Sequence, residues 1–207
     1  KARFKYVLDK LGLEKIKELY ENEYKKLEDK AFPAIEVPEE TLPRAPEYQA
    51  NNEFDADPEF KIWRDRNTLE QKQNGFLNIQ IKVLLGDMTS DQARAIAKIT
   101  SDYAGGVVVC TVNQNIMIPW VKVDALGAVY GKLKEIGLHK AGIEEIRDIT
   151  CCPGSETCNL GITASRGLVR HLNGEMEDGF PHSPDLGALT VKASGCPNSC
   201  GQHHIAS

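Results

Sequence analysis

The sequence predicts an α+β fold, on three observations: alternating apolar positions over residues 76–83, amphipathic helical stripes over 89–105 and 123–137, and two short apolar runs between those stripes. With 207 residues, 41% of them hydrophobic, the chain can bury one good-sized core, or one domain plus part of another. No apolar run approaches the ~18 residues of a membrane span, so no membrane association is expected. The 25 basic and 30 acidic residues are intermixed, for a net charge of −5, which excludes the basic footprint of a nucleic-acid binder. The opening "KARFKYVLDKLG" reads as an amphipathic helix rather than a secretory signal, so a cytoplasmic location is expected.

Taken in order, residues 4–31 carry apolar positions at helical spacing, with Gly12 as the break between two helices. Five prolines between Phe32 and Pro58 mark a linker or extended arm, which runs as far as residue 75. "GFLNIQIKVLLG" then alternates as a strand. Thr89 and Gln92 stand in capping-box spacing ahead of a helix with Ala93, Ile96, Ala97, Thr100 and Tyr103 on one face, closing at Gly105. "VVVCTV" and "QNIMIPWV" read as two strands, and the stripe from Val123 to Ile136 as a second helix ending at Gly137. Strand, helix, strand, strand, helix is most of a ferredoxin-like α+β unit, in which two helices cover one face of an antiparallel sheet.

Beyond Gly142 the pattern predicts an approach strand near 146–149, a cysteine loop, a helix over 164–172, a Gly/Pro-rich loop to Pro184, a strand in "ALTVKAS" and a second cysteine loop. The expected organisation is therefore 1–31, helices closing a preceding module; 32–75, the arm; 76–142, a ferredoxin-like half-repeat; and 143–207, a truncated α/β metal-binding module. The start at Lys1 and the stop at "GQHHIAS", just past a cysteine cluster, lead to the expectation of a fragment.

Counted from Cys152, the cysteines run C-x5-C to Cys158, thirty-seven residues to Cys196, then C-x3-C to Cys200, with Cys110 and Cys151 outside the set. A disulfide framework is disfavoured, because nothing suggests secretion and the core needs no staples. Structural zinc suits four thiolates, but its knuckles prefer tighter pairs. A [4Fe-4S] cluster, which takes thiolates at the corners of a cube, fits wide loops better. Cys152 and Cys196 each precede a proline, and Cys196 is expected as an N-cap with Pro197 at the first helical position, so that Cys196 and Cys200 bracket one turn.

"TCCPGSETCNLGITASRGL" and "VKASGCPNSCGQH" resemble the paired signatures of the siroheme- and [4Fe-4S]-containing nitrite and sulfite reductases. "CTVNQNIMIPWV" resembles the stretch opening the second of that family's two repeated halves, and "KARFKYVLDKLG" the helix closing the first. The resemblance implies a C-terminal half of an enzyme that reduces nitrite or sulfite by six electrons, with ferredoxin or a flavoprotein as donor. It implies Cys152, Cys158, Cys196 and Cys200 as cluster ligands, Cys200 also lending its sulfur to the siroheme iron. Asn198 and Gln202, flanking that bridge, are expected to reach the macrocycle or the cluster sulfurs through their amides. The basic residues that bind the substrate anion belong, by the same resemblance, to the missing N-terminal half. Asn113 stands where the first-half repeat carries an arginine, and no catalytic residue is assigned within this chain.

The alternative is an iron–sulfur electron-transfer module without siroheme. Among the remaining candidates, Cys151 is set aside because the family pattern selects Cys152, and Cys110 is expected as a small buried hydrophobe. Arg166, Arg170 and Lys192 are candidate partners for siroheme carboxylates or plain surface charges. His203 and His204 read as turn residues, and Trp63 and Trp120 as packing residues.

Overall fold

Gly12, at φ 76, parts two helices, α1 (Phe4–Leu11) and α2 (Leu13–Lys25), where the apolar stripe predicts a break. They lie in the first of two compact units, 1–41 and 42–207, of a computed structural model that describes residues 4–27, 30, 46–47, 53–179 and 189–206. Neither helix buries a residue, and the pairs Lys15–Glu18 and Lys26–Glu23 lie along the surface of α2.

The second unit begins with two elements that the proline count conceals. Asp57 caps α3 (Pro58–Asn67) by accepting from the Glu59 N–H, with Pro58 in the first turn where its missing N–H costs nothing. The chain then enters β1 (Thr68–Glu70), so residues 58–70 are regular structure where the sequence reading has an arm. Strands β2 (Phe76–Ile81), β3 (Val109–Cys110) and β4 (Ile116–Lys122) complete an antiparallel sheet of order β1-β2-β4-β3. The β2–β4 register slips between Leu77 and Ile79, opposite Pro119, which cannot donate to the ladder, and Trp120, at φ 65. The Trp120 N–H donates instead to Oε1 of Gln71 at 2.7 Å, and its ring meets Phe76 edge-on.

Helix α4 (Ser90–Tyr103) has the reciprocal Thr89–Gln92 capping box that the spacing predicts. Its buried residues are Ile96, Ile99 and Thr100, so the core face is rotated off Ala93 and Ala97, which are exposed. Helix α5 (Leu126–Glu135) follows a 3-10 turn, and Gly137 at φ 71 ends it as expected. Ile79, Ile81, Ile118 and Val121 of the sheet pack with α4, with Val129 and Leu133 of α5, and with Phe60 and Trp63 of α3 into the main core. From β2 to α5 the order strand, helix, strand, strand, helix is that of the α+β fold read from the sequence.

The second half of the unit departs further from expectation. The approach strand is the two residues of β5 (Thr150–Cys151) rather than 146–149, and it pairs in parallel with β6 (Lys192–Ala193). Helix α6 (Ser165–Gly179) runs well past Leu172, and the expected Gly/Pro-rich loop falls mostly outside the described residues. Cys196 does not open a helix: residues 196–202 make two successive turns, with Ser199 at φ 56. Cys110 lies exposed on the sheet-edge strand β3, not buried as expected, because β3 pairs only with β4. Among the described residues no helix is long and apolar enough to cross a membrane.

Two predictions test this core. Asn67, 0% exposed, donates to the carbonyls of Gln80 and Lys140 and accepts from the Gly142 N–H. Asn67→Leu orphans those backbone groups and is expected to cost roughly 2–4 kcal/mol in denaturant titration. Tyr130 is 0% exposed, and burial foremost, then the Glu59 charge, pushes its phenol up to about 12. Its neutral form is thus favoured by folding, and that stabilisation is present below the ordinary phenol pKa of ~10 and is lost as pH rises through about 12. An alkaline unfolding titration should show this loss, and Tyr130→Phe should remove it.

Candidate functional site

Strands β5 and β6 bring the two cysteine loops together. The Thr150 N–H donates to the Val191 carbonyl and the Cys152 N–H to the Ala193 carbonyl, so Cys152 leaves β5 beside the strand that leads to Cys196. Ile162 and Thr163 both donate to the Gly195 carbonyl, and the Gly195 N–H donates to Sγ of Cys152 at 3.1 Å. The peptide preceding Cys196 is therefore clamped between the sulfur of the first loop and that loop's return limb.

The approach is so close that two glycines are obligatory. A Cβ on Gly195 would stand 2.8 Å from both the Gly154 Cα and the Thr163 carbonyl oxygen, and one on Gly201 would overlap the Ala193 carbonyl. Gly201, whose N–H donates to Oγ of Ser194, thus presses the turn carrying Cys200 directly onto β6.

The thiols differ in environment. Burial opposes charge on Cys152, but the Gly195 N–H, the Ser165 hydroxyl and the Gly154 N–H outweigh it and hold this thiol below its usual range. Burial also acts on Cys151, and without matching donors it pushes that thiol up. Cys151 instead joins Leu85, Ile149 and Val169 in a second small core, as a hydrophobe would. Cys158 and Cys196 are half-buried and Cys200 is exposed. Nδ2 of Asn198 lies 3.4 Å from Sγ of Cys196, a donor aimed at sulfur.

The amide of Gln202 has two protein partners. In left-handed conformation, at φ 61, the residue donates to the Val112 carbonyl and accepts from Nζ of Lys192. Nζ of Lys192 also donates to Oδ1 of Asn113 at 3.1 Å. Arg166 and Arg170 both pair with Glu156 inside the first cysteine loop, and Arg166 also with Asp87. Both guanidinium groups thus have protein carboxylates as partners. The rings of His203 and His204 lie 4.1 Å apart, tilted, in a 3-10 turn, with Nδ1 of His203 buried and unpartnered among the described residues. A cavity of about 500 Å³ between α6 and β6 is lined by Ser165, Leu168, Lys192, Ser194, Cys196 and His203 among others.

Three consecutive carboxamides that sequence reasoning did not single out for this role hold the site to the sheet. Asn113 reaches Lys192. Gln114, at φ 65, exchanges two hydrogen bonds with the backbone of Cys151, donating at 2.7 Å and accepting at 3.1 Å, as a neighbouring strand would. Asn115, 2% exposed, accepts from the Val83 N–H and donates to both carboxylate oxygens of Asp148. The signal available in the sequence is a run of amides at a turn between apolar strands, which turn chemistry alone also explains.

Among the described residues no three His, Cys, Asp or Glu side chains gather closely enough for one metal ion. The donor set nonetheless suits a thiolate-ligated group larger than a single ion: four cysteines on two joined loops, one thiol already shifted toward thiolate, and N–H donors on two of the sulfurs.

A family model described as "Nitrite/Sulfite reductase ferredoxin-like half domain" matches residues 69–136, the segment from β1 to the end of α5. Over its whole length the chain is 27% identical to the chloroplastic ferredoxin–nitrite reductase of Zea mays, covering 33% of that protein. It is 26% identical to sulfite reductase [ferredoxin] 2 of Mycolicibacterium paratuberculosis, again over its whole length and 34% of the relative. The chain thus spans about a third of the length of these curated relatives. The NirA protein of Mycobacterium tuberculosis superposes on 98% of this chain and 33% of its own, with TM-score 0.61 and 24% identity, a likeness of fold.

The close approach of the loops gives a stability test. Gly201→Ala is expected to destabilise the protein by about 2 kcal/mol or more, because the clash is with backbone. Gly174→Ala on α6, where nothing lies within 4 Å of the added carbon, should be neutral or stabilising. Thermal unfolding of the two variants measures both.

Proposed function

Because the chain belongs to the nitrite/sulfite reductase family, we propose that it forms the [4Fe-4S]- and siroheme-bearing part of an enzyme reducing nitrite to ammonia or sulfite to sulfide. The observation that carries this reading is the Gly195 N–H on the Cys152 sulfur, which joins the first cysteine of the C-x5-C pair to the peptide leading into the C-x3-C pair. In this reading residues 76–142 are the half-domain scaffold, and 143–207 the cofactor-binding module. Cys152, Cys158, Cys196 and Cys200 would hold the cluster, and Cys200, the exposed member, would also lend its sulfur to the siroheme. When bound, the coupled pair supplies single electrons to a substrate that needs six.

The residues of the chain support that chemistry by placement. Gly195 and Asn198 put N–H donors on the Cys152 and Cys196 sulfurs, which favours thiolates and a more positive potential. Cys151 stays a thiol within apolar packing and leaves the ligand position to Cys152. Gln202, engaged with Lys192 and Val112, fixes the turn after Cys200. The electron donor is taken to be ferredoxin, as in the names of the relatives. The anion-binding basic residues are assigned to the remainder of an enzyme of which this chain matches about a third.

Anaerobically purified protein should contain about four irons and four acid-labile sulfides per chain and show siroheme absorption. Stoichiometric zinc without sulfide defeats the reading, and a cluster without siroheme replaces it with a plain electron-transfer module. Cys200→Ser should abolish the siroheme band, and a spectrum unchanged by that substitution rules out the shared sulfur.

A further inference from the structure

Lys192 holds the least conventional charge in the second unit. It is half-buried on β6, and no carboxylate among the described residues lies within ion-pair distance of it. Its ammonium is held instead by two neutral amide oxygens, Oδ1 of Asn113 at 3.1 Å and Oε1 of Gln202 at 3.3 Å. Those amides come from two different segments: Asn113 from the turn between β3 and β4, Gln202 from the turn two residues after Cys200. Gln202 is itself tied back by donating to the Val112 carbonyl, so the contacts close a ring from 112–113 through Lys192 to 202.

Neutral acceptors orient an ammonium without cancelling its charge. A fixed, partly desolvated positive charge then lies at the second cysteine loop. Gly201 packs directly on the Ala193 carbonyl, which places Cys200 within about one residue's span of the strand that carries Lys192. At such range, in a partly desolvated setting, salt screens the interaction poorly.

Building on the proposed function, we propose that Lys192 is a positioning residue that acts electrostatically. Its uncompensated charge, aimed by Asn113 and Gln202, raises the reduction potential of the anionic centre held by Cys196 and Cys200. Reduction adds negative charge beside the ammonium, so the ammonium stabilises the reduced form more than the oxidised one. The ligands could be held without this charge, but at a lower potential.

The test is a redox titration of the anaerobically purified protein, followed by the spectrum of the reduced cluster, for the native chain and three variants. Lys192→Met is expected to lower the one-electron reduction constant about tenfold, equivalent to about 59 mV. Lys192→Arg should keep the native potential to within about a third of that change. Asn113→Asp leaves the lysine in place and sets a carboxylate against it, so it should shift the potential the same way as Lys192→Met. If Lys192→Met loses its iron, Asn113→Asp decides. Potentials unchanged in both neutralising variants, with iron and sulfide retained, overturn this inference alone. A native protein lacking iron and sulfide overturns the proposed function and this inference together.

Discussion

The carboxamides of Asn113, Gln114 and Asn115 form the polar joint on which the candidate site rests. Their turn leaves the four-stranded sheet between β3 and β4, and each side chain engages a different piece of the cysteine-bearing region: Lys192, Cys151 and Asp148. Strands β5 and β6 are two residues each, too short to hold a sheet by themselves. Gln114 supplies the ladder that a longer strand would have given β5, and Asn115 satisfies Asp148 and the Val83 N–H at a site with little access to water. An apolar residue at Gln114 or Asn115 would take hydrogen bonds from backbone or carboxylate groups with little access to water, which is the expensive way to break a hydrogen bond.

Charge is distributed in the same spirit. Glu156, in the middle of the first cysteine loop, is held below the usual carboxylate range, foremost by its hydrogen bond from Arg170 and also by Arg166. Arg166 extends the network to Asp87, next to the 3-10 turn after β2. The first loop is thus pinned by paired ions at the surface, each worth little in water. The second loop is pinned by an ammonium among neutral amides. The two loops are secured by different electrostatics, and among the described residues only the second leaves net charge behind.

What is legible in the sequence follows the range over which each signal acts. The capping box at Thr89, the break at Gly12 and the stop at Gly137 are local, set by one turn of chain, and all three occur where they are read. The cysteine spacing is equally legible, and the structure joins the two loops. Helix α3 is hidden because Pro58 counts toward a linker, when Asp57-Pro58 is also a start signal. Cys110 is exposed against expectation because the apolar run "VVVC" does not say that its strand pairs on one side only. The expected helical turn after Cys196 gives way to Ser199 in left-handed conformation, since Gly201 must reach the Ala193 carbonyl and a helix would carry it away. Gln202 reads as a cofactor contact from its proximity to Cys200, and only tertiary structure shows its amide occupied by Lys192 and Val112.

The pressing of Gly195 and Gly201 onto neighbouring backbone bears on any attempt to graft this site into another scaffold. Transplanting the two cysteine peptides would move the ligands but not their spacing, because that spacing is set by contact between main chains. The smallest portable piece includes β5, β6 and the 111–115 turn, and the recipient needs room for chain on chain at Gly195 and Gly201. Within that piece, outward residues such as Thr157, Asn159 and Leu160 are where a designer can rewrite the surface without disturbing the path of the chain.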